Sequence, residues 1–518
     1  MKKIVCSWVI VVLVLSSMMA IGASAATTPK TSTPKYGGTL TSVTVHTPAN
    51  LGIPWVPSPM QVAEMMFRSP CVETLLRLDE KGDPVPWLAT GWKFSPDLKS
   101  LTFTLRQGVK FHDETDFNAK AVKYNLDKYR TSPCAELKVV TSVDIIDDYT
   151  VRLNLSEFQA PFLSYFTLNP GEMMSPTSME THDEAWNLNH PVGTGPFKLV
   201  SYQRNVSLKY KKFDSYWQKG KPYLDAYEFV VVSDQTVALM AFKAGQGNAL
   251  STNIPTAVEL QKEGKYSISS IPVWSYGVAG DSANPDSPFA DIRVRRAVSH
   301  AIDNAAIAKS LGPGFLRASN QPAAPEGFAY NKAVVGYPYN PQKAKDLLRE
   351  AGYPNGFKTK VIYQSTHAAA PYFPAIQGYL REVGIDAELQ GVQGPLFNQI
   401  TRSGWKNGLI LHLTPARLGY DPTKALMDYL SSKSPSYPSI IRPADYEAKL
   451  SKAIIEPDLD KRKVMTREAI KMAVDDHCLV SFILLEPRVH TKHPSLHDIR
   501  FCEIWYHLST PEDAWLGE

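Results

Sequence analysis

The chain of 518 residues is 44% hydrophobic and 20% charged, and its mean hydropathy is −0.21. A chain of this length exceeds what one hydrophobic core supports, so we expect roughly two or three lobes in a globular protein. The formal net charge of +4 sets 55 basic against 51 acidic residues without a long basic tract, which argues against nucleic acid as a partner.

The N-terminal segment has the pattern of a secretory signal. Lys2 and Lys3 precede an apolar run over residues 4–21, and small residues follow up to Ala25. This order predicts a signal peptide over residues 1–25 that is cleaved after Ala25. An uncleaved membrane anchor is the alternative, because the apolar run approaches the length that spans a bilayer.

The sequence beyond that signal indicates an exported protein of the periplasm. Residues 26–35 lack apolar bulk and predict a flexible leader. Cys6 lies at the head of the apolar run rather than at the cleavage point, so no lipid anchor is predicted. No later stretch approaches about eighteen apolar residues, which indicates a soluble mature protein.

Four cysteines follow the signal, namely Cys71, Cys134, Cys478 and Cys502. In an oxidising compartment they allow up to two disulfides, among three possible connectivities. Nearness in sequence favours pairing Cys71 with Cys134 and Cys478 with Cys502. The absence of a CxxC motif argues against a redox or zinc motif.

The first half of the chain is predicted to be rich in short strands, at residues 39–45, 101–106, 151–155 and 197–202. In the stretch from Leu88 to Asp127, apolar and polar residues alternate over 101–106, as in a half-buried strand. Gly108 then indicates a turn and Val109–Phe111 a second short strand. Asn118 is expected to cap a helix with apolar positions at spacings of three and four.

The second half favours alternating helices and strands. Residues 293–302 carry a helical apolar stripe, and Asp303 is a candidate cap for the next helix. Asn340, Pro341 and Gly352 are typical of the cap, first position and stop of another helix. A helix ending at Gly384 and strands at 359–363, 385–389 and 409–413 complete the pattern, which predicts an α/β lobe.

Several motifs along this pattern resemble one family. They are FHDET at 111–115, GTGPF at 193–197, WQKGKPYL at 217–224, DIRVRRAVSHAID at 291–303, NPQKAKDLLREAGY at 340–353 and YLREVGIDAEL at 379–389. In this order they are similar to the bacterial extracellular solute-binding proteins of family 5, the peptide and nickel class that serves ATP-driven importers. Glu114 stands where the family usually has glycine, and Ala121 where an aspartate is common. If that glycine is needed for a positive φ, Glu114 is expected either to strain or to shift the turn.

The resemblance implies an α/β, periplasmic-binding-protein-like fold of the large three-domain type, with two lobes and a hinge. It implies a discontinuous first domain over 36–75, 192–282 and 485–518, a second domain over 76–191 and a third over 283–484. Ligand would be enclosed between the first and third domains as the lobes close. The implied partners are a small-molecule or peptide-like ligand and the membrane permease of an ABC importer with its ATPases, and the protein is expected to be a monomer. A binding protein that reports to a chemoreceptor would have the same sequence.

The family resemblance also gives candidate ligand-binding residues. Peptide-binding members hold the ligand's ammonium with an aspartate shortly before an acidic-Pro step, and anchoring on Asp421 puts Leu418 at that position. No arginine for a peptide carboxylate follows the strand at 359–363. A zwitterionic dipeptide would then bury a charge without a partner, so an organic anion or another small solute is expected instead. The candidates are His46, Trp274, Gln364, Ser365, His367, Trp405, Arg417, Leu418, Tyr420 and Asp421.

Two of these candidates have an alternative interpretation. Arg417 is placed to meet a carboxylate bidentately, or is an ordinary surface arginine. Trp274 is a wall of the cavity or a buried structural residue.

Two other classes of function are alternatives to a binding protein. A hydrolase is disfavoured because the chain lacks GxSxG and HExxH motifs, so we predict no enzyme, no catalytic residue and no cofactor. Binding of nickel or a metal complex is the stronger alternative, because five histidines lie near the C-terminus: His477, His490, His493, His497 and His507. Pro487 and Pro494 favour a loop between them, so no metal site is predicted.

Overall fold

The computed structural model describes residues 33–57, 61–79, 82–134, 136–416, 421–500 and 511–517, with the backbone alone over 61–63. The predicted signal peptide and most of the predicted leader lie outside these ranges. Within them, no helix is long and apolar enough to cross a membrane.

The strands, in chain order, are β1 Thr39–Thr44, β2 Leu76–Leu78, β3 Pro84–Pro86, β4 Ala89–Phe94, β5 Ser100–Leu105, β6 Val140–Asp147, β7 Thr150–Leu155, β8 Phe197–Gln203, β9 Ser207–Lys212, β10 Ala226–Val231, β11 Ala249–Thr252, β12 Ser267–Gly280, β13 Arg317–Ala318, β14 Phe357–Gln364, β15 Ile385–Val392, β16 Leu409–Pro415, β17 Ser481–Lys492, β18 Leu496–His497 and β19 Trp515–Leu516.

The α-helices are α1 Gln61–Arg68, α2 Ala119–Thr131, α3 Phe162–Tyr165, α4 Pro176–Thr181, α5 Glu184–Asn187, α6 Gln235–Lys243, α7 Ile254–Glu263, α8 Ile292–Ala301, α9 Asn304–Leu311, α10 Pro341–Glu350, α11 Phe373–Glu382, α12 Gly394–Ser403, α13 Pro422–Leu430, α14 Ala444–Ile454 and α15 Leu459–Lys471.

The main sheet runs in the order β15-β14-β16-β12-β17-β11-β1-β10-β9-β8. Its two central strands are the longest, with 14 residues in β12 and 12 in β17, and they pair antiparallel to each other. On one side β12 pairs with β16, and on the other β17 pairs with β11. These two strands therefore connect the two halves of the sheet. Their register shifts next to Pro272, which lies opposite Pro487.

The described residues form three large hydrophobic cores and two small ones. The first core packs on β1 and β8–β10, around Leu40, Phe197 and Phe229. The second core is built from residues 75–173 on the separate sheet β4-β5-β7-β6. The third core packs helices α8–α11 and α13–α15 against the other half of the main sheet. The predicted boundaries of the three domains stay a prediction.

Local capping signals produce the helices that the sequence predicts. The Asn118 side chain accepts hydrogen bonds from the backbone N–H groups of Lys120 and Ala121, and so caps α2. Asn340 caps α10 in the same way, with Pro341 at its first position. Gly352 follows the helix with φ +94°, a conformation that favours glycine. These predictions are confirmed.

Two predictions near the start of the chain are wrong. Val109–Phe111 does not form a strand, and only an isolated bridge joins Lys110 to Asp116. The disulfide between Cys71 and Cys134 does not form, because Cys71 is a buried free thiol that contacts the Arg68 carbonyl.

The second predicted disulfide joins Cys478 to Cys502. Cys478 is also a buried free thiol, and its Sγ lies 3.5 Å from the Ser299 hydroxyl. Cys502 lies outside the residues that the structure describes.

The FHDET and GTGPF motifs pack against each other. The backbone N–H of His112 donates to the Gly193 carbonyl at 2.9 Å, and His112 Nε2 lies 2.9 Å from the Gly195 carbonyl. Burial lowers the pKa of His112 to about 4. A Cβ on Gly195 would lie 2.7 Å from the Cys71 carbonyl carbon, so only glycine fits there. The two motifs thus fix the junction between the first and second cores.

Glu114 takes the strained conformation that its position in the motif implies. Its φ is +65°, in the left-handed region where glycine is favoured. The turn is therefore kept rather than shifted, and Glu114 bears the strain.

Candidate ligand-binding cleft

The central strand β17 carries charged side chains within an otherwise apolar run. Glu486, Arg488 and His490 are two residues apart, so their side chains point to the same face of the sheet. Trp274 on β12 lies directly opposite Glu486. Where the two halves of the sheet join, the face that carries Glu486, Arg488 and His490 is therefore charged.

Glu486 is a buried carboxyl held by tyrosines. The Tyr372 hydroxyl donates to its Oε2 at 3.4 Å, and Tyr276 also hydrogen-bonds to the carboxylate. Burial raises the pKa of Glu486 to about 7, although these hydrogen bonds and the charge of Arg488 act in the opposite direction. The group is therefore largely protonated below neutral pH.

Arg488 lies where side chains from both halves of the sheet meet. His46 follows β1 on one side, and His367 follows β14 on the other. Burial, and then the charge of Arg488, lowers the pKa of His46, and the same two causes lower the pKa of His367 to about 4. His46 is nevertheless exposed to solvent, as expected for a residue lining an open cleft. The charge of Arg488 therefore acts on imidazoles from both halves of the sheet and disfavours their protonated forms.

Four of the predicted candidates lie on the side of the cleft formed by the third core. The His367 ring contacts Tyr276, with 5.5 Å between centroids. Gln364 ends β14 and donates to the Thr366 hydroxyl at 3.1 Å, and the Ser365 hydroxyl donates to the Val392 carbonyl at 3.2 Å. Trp274 is half-buried on β12. The role of these residues in binding stays a prediction.

The remaining candidates are placed differently. Trp405 is 6% exposed, and its indole N–H donates to the Gly408 carbonyl at 2.9 Å, so it is a residue of the third core rather than a cavity wall. Asp421 caps α13 and lies 3.4 Å from the Arg462 guanidinium. Arg417, Leu418 and Tyr420 lie outside the described residues.

A cavity of about 650 Å³ lies between the second and third cores. Phe94, Phe158 and Leu163 line it from the second core, and Phe328 and Leu426 from the third. Its surface is mostly apolar, in contrast to the surroundings of Arg488.

Among the described residues, the C-terminal histidines do not form a cluster. Within the described ranges no group of three or more His, Cys, Asp or Glu side chains is placed to hold a metal ion. His477 pairs with Asp445, His493 with the Ser495 hydroxyl, and His497 stacks on Trp515. His507 lies outside the described residues.

The loop predicted between Pro487 and Pro494 is wrong. β17 continues through Pro487 to Lys492. A predicted loop gives no reason to select Glu486 and Arg488 as cleft residues, and neither is among the predicted candidates. The signal that would have found them is the two-residue spacing of charged side chains inside an apolar run, which is typical of a strand with one functional face.

The two-lobed sheet and the cleft correspond to a known class of protein. The periplasmic binding protein DppA from Helicobacter pylori in complex with the peptide STSA aligns with 93% of this chain over 99% of its own length, with a TM-score of 0.76 and 23% identity. NikA from Brucella suis in complex with Fe(III)-EDTA aligns with 91% of this chain over 100% of its own length, with a TM-score of 0.79 and 24% identity. AgaA from A. tumefaciens R10 in complex with agropinic acid aligns with 93% of this chain over 99% of its own length, with a TM-score of 0.76 and 24% identity. The fold is thus that of a periplasmic binding protein, as predicted.

Sequence similarity identifies the family. The profile of the bacterial extracellular solute-binding proteins, family 5, matches residues 83–437. The glutathione-binding protein GsiB of Salmonella typhi is 32% identical over 310 residues, which cover 58% of this chain and 60% of that protein. The chain therefore matches about 60% of the length of such curated relatives. It belongs to the bacterial extracellular solute-binding proteins, family 5, and the predicted membership is confirmed.

Proposed function

We propose that the protein is a periplasmic solute-binding protein that captures a small ligand between two lobes and delivers it to an ABC-type importer. Its partners would be the ligand and the membrane permease with its ATPases, and it would act as a monomer without catalysing a reaction. Membership of the family supports this role. Closure around the ligand would supply the signal, because the liganded and empty forms then present different faces to the permease.

We propose further that the ligand is an organic anion or a peptide-like compound whose carboxylate binds Arg488. The observation that carries this proposal is the place of Arg488 on the central strand β17, between the half of the sheet whose strand β1 leads to His46 and the half whose strand β14 leads to His367, with its charge acting on both imidazoles. A guanidinium binds a carboxylate bidentately, and a partly buried site strengthens that interaction. The two imidazoles would donate further hydrogen bonds from opposite sides of the cleft.

The known relatives are compatible with this class of ligand. GsiB is named for glutathione, and DppA and AgaA were solved with a peptide and agropinic acid. All three compounds carry carboxylates. The surroundings of Arg488 therefore suit a chemistry that recurs among proteins similar to this one.

The test combines ligand discovery with one substitution. Native mass spectrometry of protein purified from its own periplasm, followed by a thermal-shift panel of peptides, opines, other organic anions, sugars and metal complexes, should identify a carboxylate ligand. At a hundred times its dissociation constant, such a ligand should stabilise the protein by about 2.7 kcal/mol. Arg488→Gln should weaken binding at least about 100-fold, because a charge-assisted bidentate pair is lost.

Arg402→Gln is the matched control, since Arg402 is an exposed arginine at the end of α12. It should leave affinity unchanged. Equal affinity in wild type and Arg488→Gln would contradict the assignment of the anion site, and turnover of any bound compound would contradict the binding-protein role.

A further inference from the structure

One edge of the main sheet carries a concentration of basic residues. Residues 197–221, which form β8, β9 and the segment after them, hold seven basic side chains and one acidic one, a net charge of +6. The whole chain carries only +4, so the rest of the sequence sums to −2. The excess positive charge of the protein is therefore gathered at this edge, which we call the basic edge.

Strand pairing in the basic edge brings like charges together. β8 is the last strand of the main sheet, and Lys198 on it lies directly opposite Lys211 on β9. Like charges at opposed positions of a sheet are destabilising. Lys209 is compensated by Glu228 on β10, with 3.2 Å between Nζ and Oε1. Within the described ranges no acidic side chain pairs with Lys198 or Lys211, an arrangement that suits an anion from outside the protein.

Exposed valines lie among these basic residues. Val200 is 59% exposed at a bulge in β8, and Val206 is 54% exposed in the turn between β8 and β9. Arg204 is exposed in the same turn. Lysines alone protect an open sheet edge from pairing with another chain, and such protection does not need exposed valines. The mixture of basic and apolar side chains is instead typical of a surface that binds at the interface of an anionic bilayer.

The kind of basic residue favours lipid over protein as the partner. Six of the seven basic side chains in the basic edge are lysines. Protein interfaces are enriched in arginine and depleted in lysine, because the planar guanidinium makes directed, bidentate contacts. A layer of lipid headgroups attracts positive charge without directed contacts, so ammonium groups suffice.

We propose that the basic edge attaches the protein to bilayers that contain anionic phospholipids, with Arg204 and Lys211 at the headgroups and Val206 at the boundary of the acyl chains. The attachment goes beyond ligand capture and needs no ligand, because the basic edge belongs to strands of the first core and does not include Arg488. A protein held at the bilayer would search for its importer in two dimensions, and this consequence rests on the proposed function.

Cosedimentation with vesicles tests the attachment. Protein purified from its own periplasm is mixed with vesicles of phosphatidylethanolamine and phosphatidylglycerol in a ratio of about 3:1, and with vesicles of phosphatidylcholine alone. It should bind the anionic vesicles and not the neutral ones, and it should lose most of the binding when salt is raised from about 0.05 M to about 0.5 M. Arg204→Gln combined with Lys211→Gln should weaken binding about 30-fold, because each basic residue near an anionic surface strengthens binding roughly fivefold.

Arg402→Gln combined with Lys345→Gln is the matched control. Both residues are exposed, on α12 and α10, and the net charge of the protein changes by the same amount. This control should bind the anionic vesicles like wild type. Lys198 is left unchanged, because its Nζ lies 5.6 Å from the centre of the buried Phe213 ring and its loss would disturb packing. Equal thermal unfolding of wild type and both double variants would show that the fold is kept.

Val206→Ser tests the apolar part of the contact. It should weaken binding to the anionic vesicles roughly tenfold, because the valine no longer enters the acyl boundary. Val335→Ser, at a valine that is 74% exposed on the third core's side of the chain, should have no effect. Equal binding by wild type and Val206→Ser would overturn the insertion of this turn.

Three results would overturn the attachment and leave the proposed ligand capture intact. They are failure of wild type to bind the anionic vesicles, binding that is as tight to neutral vesicles, and equal losses in the two double variants. Retention on immobilised polyglutamate without binding to vesicles would assign the basic edge to an acidic protein partner and would also overturn the lipid surface.

Discussion

Glu486 and Arg488 carry opposite formal charges on the same strand face, yet their surroundings give them different roles. Glu486 is 9% exposed and bonded by tyrosines, so burial raises its pKa to about 7. Arg488 is half-buried, and its charge adds to burial in lowering the pKa of His46. Because Glu486 is largely protonated in mildly acidic solution, it neutralises the charge of Arg488 only in part.

The raised pKa of Glu486 predicts a pH-dependent contribution to stability. Its ordinary value is 4.5 and its folded value about 7, so between these two values the unfolded chain ionises while the folded protein does not. Stability from this group is present below pH 4.5 and is lost as pH rises through 7, by about 3 kcal/mol. Glu486→Gln should therefore gain about that much relative to wild type between pH 4.5 and pH 8, measured by urea unfolding.

Glu180→Gln is the control for this experiment, because Glu180 is exposed on α4. Its stability relative to wild type should not change with pH. A difference between Glu486→Gln and wild type that is the same at both pH values would show that Glu486 ionises normally.

The backbone strain at Glu114 makes a second prediction at a single residue. A non-glycine residue in the left-handed region costs about 1–2 kcal/mol, and glycine gives back about 0.4–1 kcal/mol through its greater freedom in the unfolded chain. Glu114→Gly should therefore stabilise the protein by about 0.5–1 kcal/mol in chemical denaturation and leave ligand affinity unchanged.

A glycine elsewhere should have the opposite effect. Glu180→Gly introduces glycine into α4 and should destabilise by about 1 kcal/mol. If Glu114→Gly is destabilising to the same extent, the turn at 111–115 does not store strain.

At the scale of elements, the two central strands pair almost continuously but are weakly paired at one place. β12 and β17 pair over most of their length, but Pro272 lies opposite Pro487 and neither proline donates a ladder hydrogen bond. The register shifts at the same place. The strands are thus weakest close to Glu486, between the two halves of the sheet, which is where hinge bending would have to occur.

The cap of α2 gives a prediction for one helix. The Asn118 side chain satisfies two backbone N–H groups that the helix itself leaves unpaired. Asn118→Ala should destabilise the protein by about 1 kcal/mol, measured by thermal and urea unfolding. Asn398→Ala, an exposed position within α12, should be neutral or slightly stabilising, and equal losses in both variants would contradict the capping role.

Elements with local signals were predictable from the sequence. The caps at Asn118 and Asn340 and the stop at Gly352 depend on the backbone chemistry of a few neighbouring residues, so one short segment suffices to infer them. The strain at Glu114 followed from a single departure from the family motif. Val109–Phe111 failed because a strand requires a pairing partner, and its β-forming residues have only the bridge at Lys110.

The cleft was only partly predictable, because its residues are distant in sequence. His46 and His367 were inferred by family resemblance, but Arg488 meets them only through strand pairing across more than four hundred residues of chain. Pro487 suggested a loop, and tertiary pairing overrode that local preference. The apolar cavity was not predictable at all, since its walls belong to two separate cores.

For the whole molecule, buried polar groups tie the first two cores into one unit. The Glu73 carboxylate accepts hydrogen bonds from the Trp87 indole at 2.8 Å, the Thr194 hydroxyl at 2.8 Å, the Tyr216 hydroxyl at 2.9 Å and the Trp217 indole at 3.0 Å. Trp87 packs on the second core, whereas Thr194 belongs to the GTGPF motif beside the first. A shared buried network of this kind resists relative motion, so closure should move the third core against the other two together.

Four histidines, of which His112, His412 and His490 are buried and His367 is half-buried, make the molecule sensitive to acid. Burial lowers the pKa of His112 and His367 to about 4, and that of His412 and His490 to about 3. The unfolded chain takes up these protons as pH falls below 6.5, while the folded protein does not. Stability from these groups is thus present above pH 6.5 and is lost as pH falls toward their folded values. Among the described residues, the buried carboxyls of Glu73, Glu172 and Glu486 have raised pKa values and act in the opposite direction.

The contribution of His412 to this acid sensitivity can be measured separately. It is fully buried in the third core, and its folded pKa of about 3 means that it stays neutral down to pH 4.5. Between pH 6.5 and pH 4.5 it should cost wild type about 3 kcal/mol of unfolding free energy. His412→Gln, although less stable at neutral pH through lost packing, should lose about 3 kcal/mol less than wild type over this interval in urea unfolding. His182→Gln, at an exposed histidine, should follow the wild-type curve, whereas an unchanged slope in His412→Gln would mean that His412 accepts a proton in the folded state.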